Sequence, residues 1–410
     1  MHIGKLFKKI PNKYHSHKFK ELCLHSKNCN EGDIFFSIRG VKQNGNQFIK
    51  DAIKNGAKTI VSDLNFQGKK ENILFIKNKN VRKLVPEIAS KFYKKTPHNM
   101  IAVTGTNGKS SVANFYFQIL NNNRRKVATI GTLGIKTKNI NKLTDNTTLD
   151  PIAIHKTLLS IKIKKIKNII LEASSHGLKQ NRLDGLRFNT VIFTNLSRDH
   201  LDYHKTYKDY FNSKLILFNK LAKKKANLIY DNDIFQSKTL KKICIKKKLK
   251  PLTIGKKNSD LIISKHEYVD NLQKVEIKFN KKKYSFTTNL IGKIQVNNLL
   301  FSILAASKSK IKFNKIIQSI SHIKPVEGRL ESVGIIRNNS KVILDYAHTP
   351  DALKHTLKSI KEQFSHSSIS IVFGCGGNRD KDKRPIMGKI ANQYCNKIFL
   401  TDDNPRYENP

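Results

Sequence analysis

Ile101-Ala-Val-Thr-Gly-Thr-Asn-Gly-Lys-Ser-Ser111 decides how the rest of the chain is read. The apolar run at its start reads as a buried strand. Gly105 and Gly108 then turn the chain into Lys109 and Ser110, and the spacing from Val112 to Leu120 is helical. Strand, glycine turn, Lys-Ser and helix follow one another in the order a phosphate cradle requires. The glycines let backbone N–H groups approach phosphate oxygens, Lys109 supplies a mobile positive charge, and the Ser110 hydroxyl can ligate Mg²⁺. The general phosphate-loop pattern has four residues between its first glycine and Gly-Lys, whereas this loop has Thr106 and Asn107 alone. It is therefore a variant, typical of a narrower group than nucleotide hydrolases at large.

Outward from this loop, the segments that follow alternate strand and helix. Strands are expected at Ile101–Thr104, Lys126–Ile130, Asn168–Glu172 and Thr190–Thr194, with helical stretches between them. That alternation argues βαβ units in a parallel sheet, whose ligands sit beyond the carboxyl ends of the strands. Three strand ends carry chemistry: the first leads to Lys109 and Ser110, the third to Glu172-Ala-Ser-Ser-His176, and the fourth to Asn195-Leu-Ser-Arg-Asp199-His200. A hydroxyl, a carboxylate and an imidazole meeting at one edge, with ATP phosphates, suit Mg²⁺. Each residue alone also reads as ordinary loop polarity, and neutral imidazole is an unusual Mg²⁺ ligand. After His200, the residues Tyr207, Tyr210, Phe211, Lys214, Leu217, Phe218 and Leu221 share one helix face. Lys214 in that apolar stripe is either a snorkelling lysine with its head in water, or a buried amine that loses its proton readily. A buried amine could take up CO₂ and become a carbamate, a long carboxylate suited to Mg²⁺.

Before the loop, residues 21–96 read as a small α/β unit. It has strands at 33–38 and 58–62, helices at 47–55 and 81–93, and a break at Thr96-Pro97. Beyond the fourth strand, residues 223–290 show strand and turn signals interrupted by lysine runs. A helix is expected within 289–306, a linker at 322–325, and strands at 341–345 and 368–373 of a third, Rossmann-like unit whose turn holds Gly374, Gly376 and Gly377. Arg379 and Arg384 beside that turn favour an anion site over a plain turn.

The chain has 410 residues and a formal charge of +48, from 78 Lys and Arg against 30 Asp and Glu. Such charge suggests a polyanion partner, but the lysines are scattered through every segment with abundant Asn and Ile. They read as solvated faces, without specific nucleic-acid binding. Five cysteines with no C-x-x-C pair point to free thiols in a reducing compartment. There is no apolar run of membrane-spanning length and no signal-peptide core, so a cytoplasmic protein that does not enter membranes is expected.

The joint motif set resembles the Mur ligases. It comprises G-T-N-G-K-S at 105–110, N-T-T at 146–148, E-A-S-S-H-G-L at 172–178, T-N-L-S-R-D-H-L-D at 194–202, E-G-R at 327–329, D-Y-A-H-T-P at 345–350 and G-C-G-G-N-R-D at 374–380. D-D-N-P-R at 402–406 narrows the resemblance to the ligases that add meso-2,6-diaminopimelate to UDP-N-acetylmuramoyl-L-alanyl-D-glutamate in peptidoglycan synthesis. It speaks against a lysine-adding relative or a folylpolyglutamate synthase.

The resemblance implies a three-domain α/β architecture. Residues 1–96 would be a uridine-nucleotide domain, 97–322 a central parallel-sheet ATPase domain of the P-loop type, and 323–410 an amino-acid-binding Rossmann-like domain. It also implies roles. Gly105, Thr106, Asn107, Gly108, Lys109, Ser110 and Ser111 would bind ATP with Asn297, Arg329 and Asp345, the first of these from the adenine-proximal segment Gln295–Asn298. Ser26, the Val41–Gln43 loop, Asn146, Thr147, Thr148, Ser174, Gln180 and Arg182 would hold the UDP-dipeptide. Arg379, Asp403, Asn404, Pro405 and Arg406 would hold diaminopimelate. Lys109, His200 and Lys214 would be catalytic, and Ser110, Glu172, His200 and Lys214, as its carbamate, would serve Mg²⁺. The family's D-S-R reads His25-Ser26-Lys27 here, which replaces a bidentate guanidinium by a point charge. Implied too is a monomer that forms an acyl phosphate on the substrate before amide formation. Family members continue several tens of residues past the position of Pro410, so an unfinished third sheet and poor ligation by the 410-residue form are expected.

Overall fold

The computed structural model describes residues 1–40 and 43–409, which pack as two compact units. The first consists of Met1–His98, Thr148–Lys167 and His176–Arg187; the second takes up the remainder. Among the described residues, the first unit's sheet has five strands: β1 (Leu22–Cys23), β2 (Ile34–Phe36), β3 (Thr59–Ser62), β4 (Gly68–Lys70) and β5 (Ile73–Lys77). Their order is β1-β2-β3-β5-β4, parallel except at β4–β5. Successive residues of β2 point to opposite faces, and both faces are covered. Ile34, Phe36 and Val61 pack with Val81, Val85 and Ile88 of the helix Val81–Phe92. Phe35 and Ile60 pack with Ala52 of the short helix Ile49–Lys54, which continues a 3-10 turn from Gly45. The helix Pro151–Ile163 also belongs to this unit. Asp150 caps it by accepting from the amides of Ile152 and Ala153 at 2.9 Å each, and Pro151 sits in the first turn, where its missing N–H costs nothing.

The second unit holds, among the described residues, one sheet of eleven strands. These are β6 (Asn99–Thr104), β7 (Val127–Gly131), β8 (Gly134–Thr137), β9 (Ile140–Lys142), β10 (Asn168–Glu172), β11 (Phe188–Phe193), β12 (Ala222–Asp231), β13 (Lys250–Gly255), β14 (Leu261–Val269), β15 (Leu272–Phe279) and β16 (Lys282–Thr288). The order is β16-β15-β14-β13-β12-β11-β6-β10-β7-β8-β9. The middle, β14 through β7, is parallel as expected, but β15–β16 and β8–β9 join antiparallel at the two ends, so the sheet is mixed. Register matters for function. Val103 pairs with Glu172 and with Ile192, and Thr104 with Phe193, so β6, β10 and β11 finish level at one edge.

The helix Lys109–Asn122 covers this sheet and is buried along most of its length, with Phe115, Tyr116, Ile119 and Leu120 in the core. The helix Lys293–Ser307 lies against it, and Ser302 Oγ donates to the Val112 carbonyl at 2.9 Å. Further along the chain, β17 (Glu331–Ile336) and β18 (Ser340–Leu344) form an antiparallel pair, and β19 (Ser370–Phe373) and β20 (Lys397–Leu400) a parallel one. The helices Pro350–Gln363 and Lys383–Tyr394 supply Leu353, Leu357 and Met387 to a small core with Ile369. All five cysteines are free thiols. No helix among the described residues is long and apolar enough to cross a membrane.

Candidate active site

The loop after β6 is held by the chain that follows β11. Thr106 N donates to the Asn195 carbonyl at 3.0 Å and Asn107 N to Asn195 Oδ1 at 2.9 Å, while Thr194 Oγ1 donates to the Asn107 carbonyl at 2.6 Å. Ser197 N donates to Thr106 Oγ1, which also bonds the Tyr210 hydroxyl, each at 3.0 Å. Gly105 and Gly108 have φ of +152° and +86°, and a Cβ on either would collide, with Thr194 Oγ1 and Asn298 Oδ1 respectively. Glycine is required at both positions.

Two lysines converge on this loop. Lys109 Nζ donates to the carbonyls of Gly105, at 3.0 Å, and Thr106, at 2.7 Å. Lys214 Nζ also donates to the Gly105 carbonyl, at 2.7 Å, and lies 4.2 Å from the centre of the Tyr210 ring. Lys214 is 1% exposed, so it does not snorkel to water. Burial, then the nearby charge of Lys109, push its pKa well below that of an ordinary lysine, against the pull of Asp199. Burial lowers the pKa of Lys109 as well. The face that carries Lys214 runs along the helix Tyr207–Ile216 and continues through a π-helical turn at Leu217–Leu221.

At the end of β10, Glu172 is buried. Its Oε2 accepts from Ser110 Oγ at 3.0 Å and from Thr132 Oγ1 at 3.2 Å, and its Oε1 accepts from Thr132 N at 2.9 Å. Its side chain packs where a Cβ on Gly131 would stand. His200, with φ +53°, has Nε2 3.4 Å from Asp199 Oδ2. Partial burial chiefly lowers its pKa, Asp199 opposing and Lys109 and Lys214 assisting.

Lys109, Ser110, Ser111, Glu172, His200 and Lys214 line one cavity of about 240 Å³, together with Thr147 and Ser174. Arg329 and Asp345 line it too. Asp345 accepts from Leu330 N at 2.7 Å and from Ala347 N and Thr356 Oγ1 at 3.0 Å each; burial raises its pKa, and these bonds and Arg329 oppose the shift. Arg329 stacks 4.5 Å from the Tyr346 ring centre. From the helix Lys293–Ser307 the lining residues are Ile294, Gln295 and Asn298, where the sequence reading had named Asn297. Helical spacing explains the difference, since 294, 295 and 298 share a face that 297 leaves.

The expected dipeptide residues divide between the units. In the first, Arg182 donates to the Thr148 carbonyl at 2.7 Å and from Nε and Nη2 to Gln180 Oε1 at 3.1 and 2.8 Å, so these three residues meet. Ser26 lies in the same unit, in a 3-10 turn, with its carbonyl accepting from Asn55 Nδ2 at 2.9 Å. Val41 and Lys42 of the expected uridine loop lie outside the described residues. In the second unit, Thr147 bonds Thr132 through their hydroxyls at 3.0 Å, and the Asn146 carbonyl accepts from Thr144 Oγ1 at 3.3 Å.

The expected diaminopimelate residues gather beyond β19 and β20. Gly377 N donates to the Asn404 carbonyl at 3.1 Å, Arg406 Nη1 to the Gly377 carbonyl at 3.2 Å, and the backbones of Asp403 and Pro405 crowd Gly374 and Gly377. Arg379 is 3.8 Å from Asp202. Sequence reasoning missed Glu408. It accepts from Asn378 N at 2.6 Å and pairs with Arg384 at 2.7 Å and Lys381 at 3.7 Å, tying the end of this loop to the glycine turn.

Among the described residues no group of three or more His, Cys, Asp and Glu is arranged to hold a metal. The oxygen pair Ser110–Glu172 on the cavity wall does fit Mg²⁺, which takes one or two protein oxygens and completes its shell with phosphate and water. His200, paired with Asp199, and Lys214, an N–H donor as it stands, do not add ligands in this state.

Three family models cover the chain: Mur ligase family catalytic domain over residues 18–99, Mur ligase middle domain over 103–306, and Mur ligase glutamate ligase domain over 328–410. The chain belongs to the Mur ligase family. Relatives named UDP-N-acetylmuramoyl-L-alanyl-D-glutamate–2,6-diaminopimelate ligase include one from Rickettsia montanensis, 39% identical over 97% of this chain and 82% of that protein. Another, from Chelativorans sp. (strain BNC1), is 36% identical over 95% of this chain and 80% of that protein. A solved structure of a ligase with the same name matches all of this chain and 84% of its own, with a TM-score of 0.78 at 28% identity. The MurF ligase from Thermotoga maritima in complex with ADP matches 94% of this chain and 89% of its own, with a TM-score of 0.69 at 17% identity, a likeness of fold. This Mur ligase therefore has the family's three-domain α/β architecture, with a mixed central sheet, and is an ATP-dependent ligase.

Proposed function

We propose that this Mur ligase joins the amine of meso-2,6-diaminopimelate to the D-glutamyl side carboxylate of UDP-N-acetylmuramoyl-L-alanyl-D-glutamate, at the expense of ATP. The observation that carries the reading is one cavity lined by a phosphate-loop lysine, a Ser–Glu oxygen pair, a histidine and a deeply buried lysine. The choice of substrates is supported by the names of the relatives.

The residues then act as follows. Amides of Gly105–Ser111 receive the ATP phosphates. Lys109 exchanges its bonds to the Gly105 and Thr106 carbonyls for the γ-phosphate and neutralises charge as the carboxylate attacks. Ser110 and Glu172 would hold Mg²⁺, which when bound screens the phosphate oxygens. Asp345 and Arg329 flank the nucleotide, with Gln295 or Asn298 facing it. Lys214, held with its amine easily deprotonated, takes up CO₂: the nitrogen lone pair forms the N–C bond, one proton leaves, and a carbamate carboxylate replaces a cation. The acyl phosphate forms with loss of ADP; the diaminopimelate amine then attacks its carbon and inorganic phosphate departs. Thr147, Thr148, Ser174, Gln180, Arg182, Ser26 and Asn146 serve the UDP-dipeptide, and Arg379 with Asp403–Arg406 the amino acid. Residues 1–96, 97–322 and 323–410 divide these duties as uridine, ATP and amino-acid domains.

Phosphate release by the purified protein tests the reading, with ATP, Mg²⁺ and the UDP-dipeptide present and the amino acid varied. Release is expected with meso-diaminopimelate and at most slowly with lysine. Equal release with lysine, or release without the UDP-dipeptide, would overturn it.

A further inference from the structure

A hydrogen-bonded chain runs inward from the cavity and takes no part in the roles above. Ser175, 2% exposed, is one of the residues lining the cavity that holds Lys109 and Glu172. Its Oγ lies 3.0 Å from Nε2 of His204, which is fully buried. On the other side of that ring, Nδ1 lies 3.3 Å from Ser213 Oγ and 3.6 Å from Asp209 Oδ2. Tyr203 and Tyr210 hold the imidazole between them, with ring centres 4.9 and 5.2 Å away.

The direction of each bond follows from counting protons. Ser213 has one hydroxyl proton and gives it to the Asp209 carbonyl at 2.8 Å. Its oxygen can then only accept from His204, and a carboxylate oxygen likewise only accepts. Nδ1 therefore carries the ring proton, Nε2 bears a lone pair, and Ser175 Oγ–H donates to it. What Ser175 offers on its other side is oxygen lone pairs, which suit a substrate N–H.

We propose that Ser175 touches the attacking amine and that His204 and Asp209, acting through it, are positioning residues of a proton relay for amide formation. The proposal rests on the ligase reading above. As the amine nitrogen bonds to the acyl carbon and the carbon–oxygen bond to phosphate breaks, the nitrogen must shed a proton. That proton passes to Ser175 Oγ while the Ser175 hydroxyl proton passes to His204 Nε2. The imidazolium so formed keeps Nδ1–H toward the Asp209 carboxylate, and inorganic phosphate leaves. The carboxylates that line the same cavity already have partners: Glu172 accepts from Ser110 and Thr132, Asp345 from Leu330, Ala347 and Thr356, and Asp199 accepts from His200 N and lies beside its imidazole.

The two half-reactions separate this role from a structural one. Acyl phosphate is trapped with borohydride from the full chain given ATP, Mg²⁺ and UDP-dipeptide alone, and complete turnover is measured with diaminopimelate added. In Ser175→Ala, kcat for complete turnover is expected to fall about 100-fold, the size of one general acid–base contribution. Trapped acyl phosphate and the KM for ATP are expected within about threefold of the unsubstituted enzyme. His204→Gln, which keeps a polar group at the Nε2 position and removes the base, is expected to follow the same pattern. Ser175→Ala deletes one oxygen and decides the matter alone if the buried His204→Gln does not fold. Unchanged kcat in Ser175→Ala overturns the relay, as does a parallel loss of acyl-phosphate formation. No acyl phosphate from the unsubstituted enzyme overturns the ligase reading itself, and the relay with it.

Discussion

At Lys214 the fold holds an amine where an ammonium ion is disfavoured, and this has two consequences. Lys214→Ala is expected to lose most ligase activity, with partial recovery in added acetate or another short carboxylate that fills the vacated volume; normal turnover by the alanine variant would dismiss the carbamate. Because its pKa is depressed, Lys214 becomes a free amine at lower pH than an ordinary lysine does. Carbamate, which forms only from the free amine, should therefore persist at a pH where surface lysines form none, a difference readable by ¹³C NMR with labelled bicarbonate. Arg406 makes the second residue-scale case. It is exposed and donates one nitrogen to the Gly377 carbonyl. Diaminopimelate differs from lysine by a far carboxylate, which a planar guanidinium binds best. Arg406→Ala is expected to cut kcat/KM for diaminopimelate well over tenfold, since such truncations cost roughly 2–5 kcal/mol. The KM values for ATP and UDP-dipeptide should hardly change, and an equal rise in all three would remove Arg406 from this role.

Among the elements, the loop between β6 and the helix Lys109–Asn122 tolerates least change. Gly108→Ala would force a side chain into φ +86° and against Asn298, costing on the order of 1–3 kcal/mol and distorting the cradle. Calorimetry should find ATP binding lost or weakened at least tenfold, whereas full affinity would mean the loop relaxes freely. This element was legible in the sequence because a strand buried on both faces reads as an unbroken apolar run. The flanking antiparallel strands were harder to see. In β15, buried Gln273, Val275, Ile277 and Phe279 alternate with outward Leu272, Lys274 and Lys278, a period-2 pattern that the lysines made look like interruption. On the helix Lys293–Ser307 the sequence reading names Asn297, while Ile294, Gln295 and Asn298 are the residues that line the cavity. Ser175, His204 and Glu408 gave no signal, because their partners lie 29, 9 and 30 residues away and only the folded chain joins them.

For the whole molecule, charge and apolar exposure oppose each other. A formal charge of +48 draws in anionic substrates and keeps copies apart. Yet Ile335, Ile336, Val372, Phe399 and Leu400 are each more than half exposed on β17, β19 and β20, apolar strand surface of the kind that recruits other strands. Salt shortens the reach of charge, to about 8 Å at 0.15 M and 3 Å at 1 M. Raising it is therefore expected to increase the KM for ATP and UDP-dipeptide and, in the same range, to increase light scattering. A KM that stays flat across that range would mean that local contacts, not the overall field, govern substrate capture.

The Gly105 carbonyl, accepting from both Lys109 and Lys214, makes the two lysines thermodynamically linked. The charge of Lys109 is one of the causes that hold Lys214 toward its neutral form. Linkage runs both ways, so once Lys214 has become an anionic carbamate it should in turn hold Lys109 in its charged state, the state that meets a phosphate. CO₂ would then tune the phosphate loop before any nucleotide arrives. Lys109→Met keeps the bulk and removes the charge. In that variant the bicarbonate concentration needed to half-saturate Lys214 at fixed pH should rise, although the substituted residue is not the one that reacts.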